Sequence, residues 1–189
     1  MIPAQQEQEP YWFPKPYSDF VARARVPGGF VMLVAFAFVA DPSRPSLLFG
    51  LPVSVLGLML RAWATGHLAK DQQLATSGPY AYVRNPLYIG TLLTATGIVI
   101  AARSLILAIV FILIFLLVYF PAIELEEHHL REIFPAYSAY AAQVHRLLPV
   151  SKWQGARSRF SWSLYVRNRE YRALFGLLIA SAWLFWRNG

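Results

Sequence analysis

Two stretches of this 189-residue chain concentrate the side chains that could do chemistry. The first is 74–90, LATSGPYAYVRNPLYIG, where Arg84, Asn85 and Pro86 sit among Tyr80, Tyr82 and Tyr88. A fixed guanidinium surrounded by rings holds an anion through charge-assisted hydrogen bonds and a cation on the ring faces. Gly78–Pro79 reads as a turn, and Asn85–Pro86 as a break that opens a helix. A plain connector would not need so dense a set of turn formers and rings. The second stretch holds Glu124, Glu126 and Glu127, three of only ten acidic residues. These carboxylates can hold a cationic group, pair with Arg84 or Arg131, or begin a solvated helix, where negative charge near the N-terminus is favourable. His67, His128 and His129 invite a metal, but vicinal histidines point about 100° apart on a helix and do not form the i, i+4 pair of a zinc helix. No metal site is expected. The chain has no cysteine, so thiolate ligands, disulfides and a cysteine nucleophile are excluded. It also has neither a glycine-rich phosphate loop nor a GxSxG turn, so soluble-enzyme chemistry is unsupported.

The elements that must position these groups are apolar. Hydrophobic residues make up 57% and charged ones 14%, against about a quarter charged in soluble domains, which points to a membrane protein. A net charge of +7 would suit nucleic acid or an anionic membrane face, and the long apolar runs decide for the membrane. No nucleic-acid partner is expected. The opening residues have no apolar core of the signal-peptide kind, so entry into the bilayer is expected through the chain's own helices. Residues 1–19 read as a disordered or surface arm, with Tyr11, Trp12, Phe13 and Tyr17 at headgroup level or packed on the protein. Gly28–Ala40, with Phe20 as an alternative start, is a first apolar run, short for a span. Asp41–Pro45 is a turn, and Ser46–Ala64 a second run. Pro86–Ala102 and Ser104–Ile123 form a tight antiparallel hairpin, in which Gly90, Thr94 and Gly97 let a neighbouring helix approach. Pro121 is expected to end or kink that fourth run, and 124–149 to form an amphipathic helix outside the hydrocarbon. Residues 150–172 are basic and suit anionic lipid. Leu174–Trp186 reads as a fifth span. Lys and Arg flank the runs so that the amino terminus, 65–85 and 124–172 all face the cytoplasm. The expected organisation is an arm at 1–27, a membrane core at 28–150, and a basic segment with a last helix at 151–189.

The element GPYAYVRNPLYIG, followed by a membrane hairpin and then by EEHHLREIFPAYSAYAAQVHRLLP, resembles the isoprenylcysteine carboxyl methyltransferase family, which groups with the phospholipid N-methyltransferases. The likeness covers roughly residues 46–150. It implies an all-α membrane protein with about five transmembrane helices, the 86–123 hairpin and a cytoplasmic cofactor-binding region. It also implies S-adenosylmethionine as cofactor beneath a lipid-accessible tunnel. Leu74, Gly78, Tyr80, Arg84, Asn85, Pro86 and Tyr88 match the first element; Glu126 and Glu127, then Tyr137, Tyr140 and Arg146, match the second. Two positions depart: Asn85 stands where His is common, and Pro135 where Gly often follows Phe. The first departure bears on a prenylcysteine acceptor more than on the cofactor.

The resemblance thus implies that Leu74, Gly78, Tyr80, Arg84, Pro86, Tyr88, Glu126 and Glu127 bind the cofactor, and that Arg84 and Asn85 orient the acceptor. Physically, Glu126 or Glu127 can take its ammonium, and Arg84 or loop amides its carboxylate. Tyr80, Tyr82 or Tyr88 can flank the adenine or the sulfonium. An acceptor carboxylate needs no base, whereas an amine must first lose a proton, to His67 or a glutamate. Methyl transfer to a hydrophobic or lipid-like acceptor is expected, a prenylcysteine-like carboxylate before a phospholipid amine. A sterol-type reductase using NADPH and a non-catalytic scaffold remain open as alternatives. Membrane lipids are the other expected partners. Glu127→Ala is expected to abolish cofactor binding and leave the fold intact.

Overall fold

The computed structural model describes residues 12–150, 152–154 and 158–189, and among them all regular structure is helical. The helices are α1 (Lys15–Val39), α2 (Arg44–Thr65), α3 (Pro86–Ala102), α4 (Leu105–Ile133), α5 (Tyr137–Gln143), α6 (Trp162–Arg167) and α7 (Tyr171–Asn188). Among the described residues, α2 and α4 are long and apolar enough to cross a membrane, and α3 is a shorter apolar helix. Two such helices are fewer than the five spans the sequence suggests.

The most extensive pairing is α2 against α3. Its seam is built from small residues in matched spacing: Gly50, Ser54 and Gly57 face Ala101, Gly97, Thr94 and Gly90. A Cβ added at Gly50 would lie 2.5 Å from the Gly97 carbonyl, so the helices meet backbone to backbone. Ser54 Oγ donates to the Thr94 carbonyl at 2.9 Å across this seam. Small residues and short polar bridges replace the hydrophobic drive that apolar surroundings cannot supply. The neighbour admitted by Gly90, Thr94 and Gly97 is thus α2, rather than the hairpin partner.

At one end, the turn between α3 and α4 puts Arg103 in the left-handed region (φ 50°), and the 40–46 turn ties to it. The Asp41 amide donates to Ala102 O at 2.9 Å, Ser46 Oγ to Ala101 O at 2.9 Å, and Arg103 pairs with Asp41 at 2.8 Å. Phe36, Leu47, Leu107 and Leu184 pack into a core there. Near that core, Arg187 of α7 donates to the last carbonyls of α1, where a cation complements the helix dipole. The opposite end carries the 66–85 loop, α5 and the described residues of 144–161, where the polar groups collect.

Three sequence expectations are corrected here. First, of the two outcomes expected at Pro121, an end or a kink, the helix does not end there. A π-helical turn over Phe115–Tyr119 precedes it, and α4 continues to Ile133. Pro121 has no N–H for the Leu117 carbonyl, and the Tyr17 hydroxyl donates to that carbonyl instead, at 2.7 Å. Glu124, Glu126 and Glu127 therefore lie deep in a continuous helix and cap nothing. Second, 124–149 is not a single helix. The chain leaves α4 at an extended Phe134, before Pro135, and restarts as α5. Third, the arm is helical from Lys15, so the first helix runs 25 residues rather than beginning near Gly28. Tyr11, residues 1–10 and Arg157 lie outside the described residues.

Candidate functional site

Pro86 starts α3 with the fixed φ and missing N–H suited to a first helical turn, which leaves Asn85 and Arg84 in the non-helical chain just before it. Two backbone bonds pin them: Arg84 N donates to His145 O at 2.9 Å and Asn85 N to Arg146 O at 3.2 Å. Freed from capping, the Asn85 side chain donates to Glu127 Oε1 at 2.8 Å and to the Arg146 carbonyl at 3.3 Å. Arg146 donates twice to Glu127 Oε2, at 2.9 and 3.2 Å, and Arg84 approaches the same oxygen at 3.5 Å. Glu127 is almost wholly buried, 2% exposed, so this is a desolvated knot of one carboxylate, two guanidiniums and an amide. The loop and the acidic helix, distant in sequence, are tied together at one end of the bundle.

Helical geometry then divides the three glutamates. Glu124 and Glu127 are i, i+3 and share the buried face, while Glu126 points about 100° away. Glu124 accepts the backbone N–H groups of Trp12 and Phe13, the latter at 3.1 Å, which anchors the amino-terminal segment. The Trp12 ring lies 4.6 Å from the Arg146 guanidinium and covers the knot from outside.

Glu126 instead lines a cleft of about 700 Å³ and accepts the Tyr88 hydroxyl at 2.8 Å. Leu74, Tyr80, Arg84, Asn85, Pro86 and Tyr88 line the same cleft. Of the residues expected from sequence, Glu127 stands behind this wall, and Gly78 and Tyr82 face a different cavity. Gly78 adopts φ +60°, and a Cβ there would lie 2.5–2.7 Å from the His67 ring, so glycine serves both the turn and that contact. Tyr80 is buried, and its carbonyl accepts the Tyr140 hydroxyl at 2.7 Å. Burial raises the phenol pKa values of Tyr80, Tyr137 and Tyr140 well above the ordinary range, so these rings stay neutral. Burial also lowers the pKa of His67, favouring its uncharged form. Two donors among the cleft residues, Arg84 Nε and the Tyr137 hydroxyl, are buried without a hydrogen-bond partner. Unpaired buried donors are costly, and a polar ligand would relieve them.

Sequence reasoning missed another wall. Arg61 of α2 makes a bidentate pair with Glu170 at 2.6 and 3.0 Å and reaches Thr91, and all three line the cleft. Asn168 donates to the Thr65 and Leu68 carbonyls, and Arg169 takes a left-handed φ of 55° between them. The carboxy-terminal segment thus closes the cleft. Two signals were available: Arg61 is an ionised residue in an apolar run, and Glu170 is the one acid in the basic 150–172 stretch.

The phospholipid methyltransferase family model matches residues 46–137, the span holding the basic loop and the acidic helix. A cobalt-zinc-cadmium resistance protein of Cupriavidus metallidurans, CzcN, is 30% identical over 168 residues, covering 78% of this chain and 73% of that protein. The chain belongs to the same family as this protein. A nickel-cobalt-cadmium resistance protein of Alcaligenes xylosoxydans, NccN, is 29% identical over 150 residues, covering 72% of this chain and 70% of its own length. No solved structure matches. The middle of this family member is therefore methyltransferase-like, and its apolar helices suit a membrane setting. Arg61, Arg84 and Glu126 lie inside the matched span; Arg146 and Glu170 lie beyond it.

Proposed function

We propose that this protein is an integral-membrane methyltransferase that takes S-adenosylmethionine in the 700 Å³ cleft and methylates a lipid-like acceptor. The observation that carries the reading is the split of the acidic pair. Glu127 is spent on Arg84, Arg146 and Asn85, while Glu126 faces the cleft beside Tyr88. Bound S-adenosylmethionine would supply an electrophilic methyl on sulfur. Glu126, steadied by the Tyr88 hydroxyl, holds the ammonium, and Arg84, with its free Nε, holds the carboxylate. The rings of Tyr80 and Tyr119, which also line the cleft, pack on the adenosine. Glu127 and Asn85 act one step back, keeping Arg84 aimed, and Leu74 and Pro86 shape the wall. Asn85 therefore positions Arg84 rather than touching the acceptor. Gly78 contributes through the turn that places Tyr80.

The cleft lies beside the ends of the apolar helices α2 and α3, which suits an acceptor arriving from the bilayer with its headgroup foremost. The phospholipid methyltransferase match and the commitment of Asn85 to Glu127 make a phospholipid headgroup amine the first acceptor to test, ahead of a prenylcysteine carboxylate. A multi-pass arrangement with this end at the cytoplasm follows from the placement of Lys and Arg. Carried to this chain, the relatives' names set it in resistance to cobalt, nickel, zinc and cadmium.

The test is calorimetric titration of the detergent-purified protein with S-adenosylhomocysteine, with Glu126→Gln alongside. Saturable binding that weakens about tenfold or more in the variant is expected, the worth of one charge-assisted contact. A folded protein that does not bind would remove the reading.

A further inference from the structure

A second cavity, of about 760 Å³, lies on the other side of the Gly78–Ala81 turn. Gly78 and Ala81 face it, whereas Tyr80 faces the first cleft, so the turn is a shared wall. Its volume is within the roughly 300–1,000 Å³ of ligand sites. Its rings come from Trp63, Tyr82, Trp153 and Phe160. Its polar end is a cluster: His67 Nδ1 meets Ser77 Oγ at 3.0 Å and Ser158 Oγ at 3.2 Å, and the two hydroxyls bond each other. Lys152 lines the same cavity, with Nζ 5.4 Å from the centre of the Tyr82 ring. None of the described lining residues is acidic. Lys152 thus presents a positive charge without a carboxylate among them.

We infer that this cavity is a second binding site, for the phosphate headgroup of a membrane phospholipid, with Lys152 as its counter-charge and the His67–Ser77–Ser158 cluster as its hydrogen-bond donor. The hydrogen count permits it. With the proton on Nδ1, the imidazole donates to one hydroxyl, that serine to the next, and one hydroxyl hydrogen is left for an anion. The depth also fits. Trp63 lies on the last turn of α2, which is long and apolar enough to cross a membrane, and the chain turns polar within a few residues. An amphipathic ring at that level is where headgroups lie. Phe160 packs on Gly66, where a Cβ would collide with the ring, and Ser161 N donates to Gly66 O at 2.9 Å. The basic carboxy-terminal segment is thereby fastened over the end of α2. Chain-bearing phosphate suits this cavity better than free phosphate, because the rings offer the apolar surface that only a lipid covers. A lipid here contacts the back of the loop that carries Arg84 and is separated from the methyl-transfer cleft. The site stands whether or not that cleft binds S-adenosylmethionine.

The test uses the full chain in detergent, titrated calorimetrically with a short-chain phosphatidate and, separately, with inorganic phosphate. Lys152→Ala and Ser158→Ala are measured in parallel, with helix content as the control for folding. Saturable phosphatidate binding is expected, weakened about tenfold or more by Lys152→Ala and less by Ser158→Ala. Inorganic phosphate is expected to bind at least about tenfold more weakly than the lipid, since it forgoes the apolar contacts. Three results would each overturn the assignment: no saturable binding, equal binding by Lys152→Ala, or inorganic phosphate binding as tightly as the lipid.

Discussion

In Glu127→Ala, Arg84, Arg146 and Asn85 lose their common acceptor at once. Removing one partner of a buried ion pair costs about 3–5 kcal/mol, because the opposite charge is left in a poor solvent. Arg84 and Arg146 keep 12% and 19% of their side-chain surface exposed, so some water can reach them. The lower end, about 3 kcal/mol, is therefore expected. Glu127→Gln keeps one carbonyl acceptor and should cost roughly half that, about 1.5 kcal/mol. Pairing Glu127→Ala with Arg146→Ala should cost less than the sum of the two, by about 1 kcal/mol or more, since both remove the same contact. The assay is denaturant unfolding in detergent followed by helix content, with exposed Glu126→Gln as the control, expected within about 0.5 kcal/mol of the parent. If Glu127→Ala unfolds within about 0.5 kcal/mol of the parent, or the double variant is simply additive, the knot does not hold the loop to the helix. The sequence-based expectation, that Glu127→Ala abolishes binding in an intact fold, would then regain its force.

Two other outcomes follow from the packing and the phenols. Gly97→Ala places a methyl against Ser54 and the Gly50 carbonyl, so it should destabilise by about 1–3 kcal/mol, read in the same unfolding assay; a neutral result would mean that α2 and α3 are not in backbone contact. Burial raises the pKa values of Tyr80, Tyr137 and Tyr140, so in an alkaline absorbance titration these three should ionise only above the ordinary phenol range near 10. Their contribution to stability is complete below the unfolded value near 10 and declines as pH rises above it, because the unfolded state then releases protons that the folded state keeps. Ionisation of these three near pH 10 in the folded protein would contradict their burial.

Read alone, the sequence determined the bounds of two helices and marked two stretches as candidates for chemistry. Pro86–Ala102 emerged with the predicted bounds, and Ser46–Ala64 within two residues at its start and one at its end, because apolar runs with Pro, Ser and Gly at their ends are local signals. The basic loop and the acidic cluster were legible as residue types in a scarce background, and so was the tight Arg103–Ser104 junction. Tertiary structure decided what each group does. Which of Glu126 and Glu127 faces the cleft depends on helix phase relative to a neighbour, and Arg146, which sets that phase, arrives from a separate segment. The continuation of α4 past Pro121 needed a π turn and the Tyr17 hydroxyl, a partner 100 residues away. Small residues advertised a close helix contact, and the matched spacing of their two seams made α2 and α3 the partners. Glu170 could be seen as an outlier in charge, and only the fold showed it paired with Arg61 in the wall of the cleft. Local propensity is written residue by residue; the pairing of distant charges is an outcome of packing.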